Sequence, residues 1–288
     1  MSKIAGNGHG ILYLCATPIG NLADITIRAL DILREVEIIV CEDTRRTSKL
    51  LHHYGIKPHK LISYHQHSPP ERVDYILRFL EKGKDLAMVT DAGMPGLSDP
   101  GSELVSHAWK NGFEVTVLPG PSMVTAALAI SGMPADSFVF LGFLNRFSPG
   151  QRKEILGKLR CSKVTIVIFE APHRIMETLQ ELEEIFGEAC EIAMVRELSK
   201  KFEEVTRGTP GEHLRRFQKK EPRGELTMVL APDPPGKEQA ADQKLYDDLV
   251  TLARAGIPPG FAVKAVSLLR KEPRNRVYKL QLKLKKER

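Results

Sequence analysis

Residues 89–101 read Val-Thr-Asp-Ala-Gly-Met-Pro-Gly-Leu-Ser-Asp-Pro-Gly, a loop rich in glycine and proline. The apolar run Leu86–Val89 before it predicts a strand, and the pattern from Ser102 to Trp109 predicts a helix. Glycine lets the main chain approach a ligand closely, and proline reduces the entropy that the loop loses when it becomes ordered. Because open parallel sheets bind ligands at the carboxyl ends of their strands, we expect a ligand site here. An ordinary strand-to-helix turn is the alternative interpretation.

Two further loops follow predicted strands in the same way. The loop at 16–22, Ala-Thr-Pro-Ile-Gly-Asn-Leu, comes after the strand Ile11–Cys15, and the loop at 118–123, Leu-Pro-Gly-Pro-Ser-Met, comes after a strand that ends at Val117. If the three strands share one sheet, their loops meet at one edge and form a pocket. No loop has the Walker sequence or the dinucleotide-binding fingerprint, so neither a nucleoside triphosphate nor NAD is indicated.

Apolar strand-like runs alternate with helical patterns through the first part of the chain. The predicted strands are Ile11–Cys15, Glu37–Val40, Lys60–Ser63, Leu86–Val89 and Glu114–Val117. This alternation is typical of a parallel α/β sheet. In one crossover, Ser68 and Glu71 predict a helical capping box with Pro69 at the first helical position. The apolar residues between Val73 and Leu80 predict the buried face of that helix.

After residue 132 the predicted strands are more closely spaced. They are Phe138–Leu141, Lys163–Phe169, Glu191–Val195, Phe202–Arg207 and Glu225–Leu230, with a helix at about 174–186. The last three strands are close enough to pair antiparallel, which predicts a second domain with a mixed sheet. The predicted division is an N-terminal α/β domain at 1–118, a second α/β domain at 119–232, a linker at 233–240 and a small basic helical module at 241–288.

The C-terminal module combines helical patterns with a concentration of positive charge. The predicted helices are Leu245–Ala255, Phe261–Leu269 and Arg274–Leu284. Leu280, Leu282 and Leu284 alternate, which also fits a strand, so the type of the last element stays open. The chain has a formal net charge of +6, and residues 271–288 alone contain eight Lys or Arg against two Glu. Such a basic segment can bind RNA phosphates, and a solvated tail is an equally good interpretation.

Composition excludes several other classes of protein. The cysteines at positions 15, 41, 161 and 190 include no Cys-x-x-Cys pair, so no metal site is predicted. Residues 1–10 contain no apolar core, and no apolar run approaches the length of a membrane span. We therefore expect a cytoplasmic protein that does not contact a membrane.

Four motifs carry a resemblance to a known family. They are Thr-Pro-Ile-Gly-Asn-Leu-Ala-Asp-Ile-Thr at 17–26, Glu-Asp-Thr-Arg-Arg-Thr at 42–47, the loop at 91–101 and Pro-Gly-Pro-Ser at 119–122. Between about Ile11 and Ala231, the chain resembles the ribosomal RNA small subunit methyltransferase I family of the tetrapyrrole methylase superfamily. The resemblance implies a two-lobed α/β fold with S-adenosyl-L-methionine (SAM) in the cleft between the lobes. It also implies a homodimer that methylates the ribose 2′-hydroxyl of a cytidine near the decoding centre, in naked small-subunit ribosomal RNA or in the assembled subunit.

The resemblance further implies which residues bind the cofactor. They are Pro18, Asp91, Ala92, Gly93, Met94, Pro95, Leu97 and Ser98 in the first lobe, Ser122 and Met123 at its edge, and Phe169, Glu170, Met194 and Thr227 in the second lobe. The Asp91 carboxylate is expected near the ammonium or sulfonium group, because opposite charges attract. The first loop departs from the Gly-x-Gly-x-Gly-Asp sequence of tetrapyrrole methylases, which favours RNA over a corrin substrate. A methylase of a small tetrapyrrole and a non-catalytic RNA-binding assembly factor remain the alternatives.

Methyl transfer from a sulfonium to a hydroxyl requires alignment of the two atoms and an acceptor for the hydroxyl proton. The candidate catalytic residues at the ends of predicted strands are Glu42, Asp43, Arg45, Glu170, Arg174, Glu197 and Lys200, and the polar segment Arg223-Gly224-Glu225 precedes the last strand. Structural interpretations compete with this one. Asp43 is also suited to capping the following helix, and Arg196 with Glu197 to forming an ion pair. The sequence alone does not identify the base.

Overall fold

The computed structural model describes residues 8–162, 164–219, 222–232, 237–270 and 272–286. The chain forms two compact units. The first consists of the described parts of 1–148 and 165–231, and the second of those of 149–164 and 232–288. Both β-sheets belong to the first unit. Within the described residues, no helix has the length and the apolar character that crossing a bilayer requires.

The first sheet is parallel, as the alternating pattern predicts. Its strands are β1 (Ile11–Cys15), β2 (Ile38–Cys41), β3 (Lys60–Ser63), β4 (Leu86–Val89) and β5 (Glu114–Leu118). Their spatial order is β3-β2-β4-β1-β5, and every pairing is parallel. Every residue of β2 and β4 is buried, as expected for central strands that helices cover on both faces. The carboxyl ends of β4, β1 and β5 are therefore neighbours.

Five helices accompany the first sheet. They are α1 (Ile27–Glu35), α2 (Thr44–His53), α3 (Glu71–Glu81), α4 (Ser102–Lys110) and α5 (Met123–Ser131). Leu33 of α1 and Leu51 of α2 pack with one set of alternate strand residues. Ile76 of α3 and Leu104 of α4 pack with the other set. The two helix pairs thus cover opposite faces of the sheet.

The start of α3 differs from the predicted capping box. Pro70 occupies the N-cap position without a side-chain hydrogen bond, and the helix begins at Glu71. Ser68 Oγ instead accepts a hydrogen bond of 2.9 Å from the His65 amide, within the turn that precedes the helix. The capping box and the placement of Pro69 at the first helical position were wrong, because the hydroxyl is used one turn earlier. The predicted buried face is confirmed, since Val73, Ile76, Leu77 and Leu80 are all buried.

The second sheet is mixed, which confirms the expectation from the closely spaced strands. Its strands are β6 (Phe138–Phe143), β7 (Thr165–Glu170), β8 (Ile192–Arg196), β9 (Glu204–Gly208) and β10 (Leu226–Leu230). Their order is β6-β7-β10-β8-β9, with β6 and β7 parallel and the other pairs antiparallel. Two helices of the same unit follow strands of this sheet, α7 (Ile175–Phe186) and α8 (Pro210–Lys219). Between β6 and β7 the chain forms α6 (Pro149–Arg160), which belongs to the second unit. The predicted domain boundary at 118 coincides with the end of β5. It stays a prediction, because both sheets belong to one compact unit.

The second unit contains three further helices, α9 (Lys237–Arg254), α10 (Pro259–Arg270) and α11 (Arg274–Lys286), packed around a core that includes Leu249, Val266 and Val277. Residues 237–240 of the predicted linker are helical, consistent with their good helix formers, and 233–236 lie outside the described residues. The last element is a helix, with Leu280 and Leu284 buried and Leu282 exposed. Residues 271, 287 and 288 of the basic terminus also lie outside the described residues.

Candidate active site

Three loops converge at the carboxyl edge of the first sheet, as the sequence predicts. Thr17 and Gly93 exchange two main-chain hydrogen bonds, of 2.9 and 3.0 Å, so the loops after β1 and β4 are joined directly. Thr17 Oγ1 also donates to the Thr90 carbonyl at 3.0 Å. A Cβ atom on Gly120 would lie 2.8 Å from the Ala16 side chain, so the loop after β5 approaches the loop after β1 as closely as glycine permits.

The loop after β4 has a backbone that depends on glycine. Gly96 and Gly101 have φ angles of +82° and +139°, and Ser98 has a φ of +64°. The Gly96 amide donates to the Pro100 carbonyl at 3.1 Å, which closes the loop on itself. A Cβ atom on Gly101 would lie 2.8 Å from Met88 Cε and 3.1 Å from the Gly96 nitrogen. The loop therefore has a compact shape that a larger residue at 101 would disturb.

A cavity of about 660 Å³ lies between these loops and the strand ends of the second sheet. The predicted cofactor residues that line it are Ala92, Leu97, Ser98, Met123, Phe169, Glu170 and Thr227. The predicted catalytic residues Glu197 and Lys200 line it as well. The structure thus brings together residues from both sheets that were selected by sequence resemblance.

Other predicted residues lie elsewhere. Pro18 and Asp91 line a second, smaller cavity of about 220 Å³. The predicted residues that are not among those lining either cavity are Gly93, Met94, Pro95, Ser122 and Met194, together with Glu42, Asp43, Arg45 and Arg174. Met194 is buried within β8, so its position is that of a core residue.

Several lining residues were not selected from the sequence. They are Ile19, Asp99, Phe143, Ala171, Pro172 and Leu226. Asp99 and Ile19 stand inside loops that were expected to bind the ligand, so their position was the available signal. No sequence pattern identified Phe143, which reaches the cavity from the end of β6 and lies 5.6 Å from the Phe169 ring, centroid to centroid. Gly224 and Glu225 of the polar segment before β10 also line the cavity.

Loops of the two sheets touch at two places. A Cβ atom on Gly142, where φ is +63°, would lie 2.9 Å from Ser98 Oγ. A Cβ atom on Gly20 would lie 2.7 Å from both the Leu198 carbonyl oxygen and Lys200 Cγ. The loop after β1 therefore packs tightly against the loop after β8, and the loop after β4 against the end of β6.

Glu170 is a structural carboxylate in the cavity wall. The residue is only 2% exposed. One carboxylate oxygen accepts the Ala171 amide at 2.9 Å, and the other accepts the Thr178 hydroxyl at 2.6 Å. Arg174 Nε lies 3.8 Å from the first oxygen. Because both oxygens are engaged, Glu170 holds the turn between β7 and α7.

Glu197, Lys200 and Glu225 form a charged cluster in the wall. Lys200 Nζ lies 3.1 Å from Glu197 Oε1 and 3.0 Å from Glu225 Oε2. The Glu225 amide donates to the same Glu197 oxygen at 2.9 Å. Burial disfavours the ionised form of Glu197. The hydrogen bonds from the Glu225 amide and Lys200 outweigh this effect and keep the pKa of Glu197 below its ordinary value. The two carboxylates likewise raise the pKa of Lys200 despite burial, so Lys200 is an ammonium at neutral pH.

The pKa of the Asp99 carboxyl group is strongly raised. Burial, followed by the negative charges of Glu42 and Asp91, raises the pKa of Asp99 to about 7. Burial and Asp91 also raise the pKa of Glu42. Asp91 itself is already paired, because Arg46 Nη1 lies 3.2 Å from one oxygen and the Asp43 amide donates to the other at 3.2 Å. Asp99 has no ion pair with a described residue, and it lines the cavity.

The structural interpretation of Asp43 is confirmed. Asp43 is the N-cap of α2, and its carboxylate accepts the Arg45 amide at 2.8 Å and lies 3.1 Å from Arg45 Nη2. Hydrogen bonds from the Arg45 side chain and amide lower the pKa of Asp43 to about 2. The proposed Arg196–Glu197 ion pair is wrong. Arg196 pairs with Glu204 at 3.0 Å, while Glu197 pairs with Lys200.

The cavity therefore combines two aromatic rings, an unpaired carboxylate and an ammonium group. The rings and the unpaired carboxylate suit a ligand that has a flat ring and a cationic centre, because Lys200 is already paired with Glu197 and Glu225. In the part of the chain that the structure describes, no group of three or more His, Cys, Asp or Glu residues is arranged to hold a metal ion.

Known proteins are similar to this chain in sequence and in fold. The family model for Tetrapyrrole (Corrin/Porphyrin) Methylases matches residues 11–213. A Thermotoga maritima protein named ribosomal RNA small subunit methyltransferase I is 46% identical over 229 residues, which cover 80% of this chain and 100% of the relative. A Synechocystis protein with the same name is 40% identical over 276 residues, which cover 96% of this chain and 98% of the relative.

A solved structure agrees at the level of the fold. The cobalt precorrin-4 methyltransferase of cobalamin biosynthesis superposes with a TM-score of 0.59 at 19% identity, over 80% of this chain and 100% of that chain. The predicted two-lobed tetrapyrrole-methylase-like fold is therefore confirmed. From its sequence relatives, the chain belongs to the ribosomal RNA small subunit methyltransferase I family of the tetrapyrrole methylases, which are SAM-dependent methyltransferases.

Proposed function

We propose that this enzyme transfers the methyl group of SAM to the ribose 2′-hydroxyl of a cytidine in small-subunit ribosomal RNA, near the decoding centre. The single observation that carries the proposal is the cavity of about 660 Å³ in which Asp99 and Lys200 face a common space. The names of the relatives, whose sequences align with most of this chain, support ribosomal RNA as the substrate.

The lining residues fit SAM. When bound, this cofactor supplies a methyl group on a positively charged sulfur. Phe143 and Phe169 offer apolar faces for an adenine ring, and Asp99 offers negative charge near the sulfonium. Ala92, Leu97, Ser98 and Met123 pack around the same space. In this proposal Asp91, already paired with Arg46, shapes the loop and helps to raise the pKa of Asp99 without touching the ligand.

A proton acceptor is needed because the ribose hydroxyl is a weak acid. Glu170 has both oxygens engaged, and Glu197 is held by Lys200 and the Glu225 amide. Asp99 lacks a cationic partner among the described residues and is the carboxylate that we assign as the acceptor. Lys200, held between Glu197 and Glu225, then fixes the loop after β8 in the cavity wall. Glu42 assists by raising the pKa of Asp99 toward neutrality.

Labelled methyl transfer tests the proposed function. The purified chain is incubated with methyl-labelled SAM and either deproteinised small-subunit ribosomal RNA or assembled small subunits, and ribose methylation is then mapped. We expect one labelled cytidine, resistant to alkaline cleavage on its 3′ side. Labelling of a precorrin-type compound without labelling of RNA would instead support a small tetrapyrrole substrate. Uptake of cofactor without any methylated product would support a non-catalytic assembly factor.

The remaining parts of the proposal concern assembly and location. We infer a homodimer from the likeness to the superfamily, and a cytoplasmic location because ribosomal RNA is the inferred substrate. Sedimentation of the purified chain at several concentrations tests the dimer. Fractionation of cells that produce the protein tests the location, and recovery with the membrane fraction would contradict it.

A further inference from the structure

A second groove, of about 530 Å³, opens between the ends of β8, β9 and α8 and the segment before β10. The side chains that matter here are Arg196, Phe202, Glu204, Arg216, Phe217 and Arg223, and we call their site the arginine groove. Glu197 and Gly224, the chain neighbours of Arg196 and Arg223, line the active-site cavity. The arginine groove and the cavity are therefore adjacent parts of one unit.

The arginine groove carries an excess of positive charge. Glu204 uses one oxygen to pair with Arg196 at 3.0 Å and the other to pair with Arg216. Arg223 is exposed, and its side chain has no ion pair with any residue that the structure describes. One carboxylate thus faces three guanidinium groups. A polyanion is the complementary ligand, because phosphates attract unneutralised arginine without requiring a particular sequence.

The arginine groove also presents an exposed aromatic ring. Phe202 is 66% exposed, and Lys201 Nζ lies 5.7 Å from its ring centroid. Exposing a phenylalanine ring to water is unfavourable. Unpaired nucleic-acid bases stack on exposed aromatic rings. An acidic peptide would use the guanidinium groups and leave the ring uncovered. The pairing of ring and arginine therefore favours a nucleotide.

We propose that the arginine groove binds an unpaired nucleotide that flanks the methylated nucleotide, with its base stacked on Phe202 and a phosphate held by Arg223. The proposal rests on the proposed function, since it assumes an RNA substrate. The groove adds a second contact with the RNA, outside the active-site cavity. This contact positions the RNA chain on one side of the reacting ribose.

Binding of labelled RNA tests base stacking on Phe202 and phosphate binding by Arg223 separately. The full-length protein and its Phe202→Ala and Arg223→Ala variants are titrated into a fluorescein-labelled single-stranded oligocytidylate and into a ribose-phosphate chain without bases. Stacking on an aromatic residue corresponds to about 5- to 150-fold in affinity. Phe202→Ala should therefore weaken oligocytidylate binding by that factor and leave the base-free chain unaffected. Arg223→Ala should weaken both, and reduce the slope of log affinity against log salt by about 0.7.

Matched controls use residues on the first sheet's helices. Trp109→Ala removes an aromatic ring of similar exposure, 61%, from α4, and Arg78→Ala removes an exposed arginine from α3. Both controls should bind RNA as the wild type does. Phe202→Tyr keeps a stacking face and should restore most of the affinity. All variants should take up S-adenosylhomocysteine normally, which shows that they are folded.

Several results would overturn the proposal. Equal oligocytidylate affinity of Phe202→Ala and the wild type would remove its basis. A change in sedimentation of Phe202→Ala would identify the groove as an interface between two copies of the chain. Binding of polyglutamate that depends on Phe202 would identify an acidic peptide as the ligand. If the wild type binds RNA through this groove but methylates none, the proposed function fails while the groove remains an RNA site.

Discussion

Lys200 and Glu197 form an ion pair within the loop after β8, with Nζ 3.1 Å from Oε1. Glu225 connects this pair to the start of β10, because its amide donates to the same Glu197 oxygen and its carboxylate contacts Lys200. Because the two carboxylates raise the pKa of Lys200, the cavity wall keeps a positive charge well above neutral pH. The wall thus holds an ammonium group whose charge is balanced by Glu197 and Glu225, and the geometry of this cluster is set before substrate binds.

We expect Lys200→Met to lower kcat/KM for methyl transfer by about 10- to 150-fold, because a hydrogen bond to a charged group is worth about 1.5–3 kcal/mol. Steady-state rates with ribosomal RNA measure the change. Lys110→Met is the matched control, since Lys110 is exposed on α4 and is not among the residues that line the cavity or the arginine groove. An equal loss of kcat/KM in the two variants would show that the net charge of the protein matters and the position of Lys200 does not.

Asp99→Asn should reduce methyl transfer by about 100- to 10,000-fold if Asp99 accepts the proton. Its affinity for S-adenosylhomocysteine should stay within a few-fold of the wild type, because that product has no sulfonium charge. In the wild type, kcat/KM should rise as pH increases through about 7, the pKa of Asp99 in the free enzyme. Rates and calorimetry across this range test both points. A residual rate in Asp99→Asn that still rises at the same pH would assign the proton to another group.

The raised pKa of Asp99 also affects stability. Its folded-state pKa of about 7 exceeds the ordinary 3.8, so between these values the folded state binds more protons than the unfolded state. Wild-type stability should therefore fall as pH rises from about 4 to about 7. Asp99→Asn, which cannot ionise, should gain on the order of 1 kcal/mol relative to the wild type over that window.

Urea unfolding at intervals across the window measures the difference between the two proteins. Asp31→Asn on α1 is the control, because Asp31 is exposed and pairs with Arg34 on the same helix. A stability difference for Asp99→Asn that does not change with pH would mean that Asp99 titrates normally.

Much of the fold follows from local sequence patterns. The runs Ile11–Cys15 and Leu86–Val89 are apolar, short and followed by loops that contain glycine and proline, and the structure places strands at both ranges. The loops that follow them meet because parallel strands present their carboxyl ends at one edge. Family resemblance then selected Phe169 and Thr227 from the second sheet, and both line the cavity.

Other features depend on contacts between residues far apart in sequence. The raised pKa of Asp99 arises from burial and then from the negative charges of Glu42 and Asp91, which follow β2 and β4. The partner of Arg196 is Glu204, across an antiparallel pair, and not its neighbour in the sequence. Local sequence patterns contain no information about such pairs. They therefore predict the positions of the loops better than the chemical roles of the residues in them.

Gly101→Ala should destabilise the protein more than Gly55→Ala. Both glycines have positive φ angles, so each substitution costs about 1–2 kcal/mol of backbone strain. A Cβ at position 101 would also lie 3.1 Å from the Gly96 nitrogen, whereas no atom lies within 4 Å of a Cβ at position 55. Urea unfolding gives both costs. Similar values would show that the loop after β4 relaxes easily, and affinity for S-adenosylhomocysteine should fall only in Gly101→Ala.

The last helix can be tested through two leucines that alternate in the sequence. Leu280 is 6% exposed and packs against α9 and α10 residues, whereas Leu282 is 44% exposed. Leu280→Ala should therefore cost about 2–5 kcal/mol, and Leu282→Ala less than about 1 kcal/mol. In a strand both side chains would point to the same face, because the side-chain period is two residues. Comparable destabilisation of the two variants would thus contradict a helix, while a large difference would confirm the period of 3.6 residues that buries Leu280 together with Leu284.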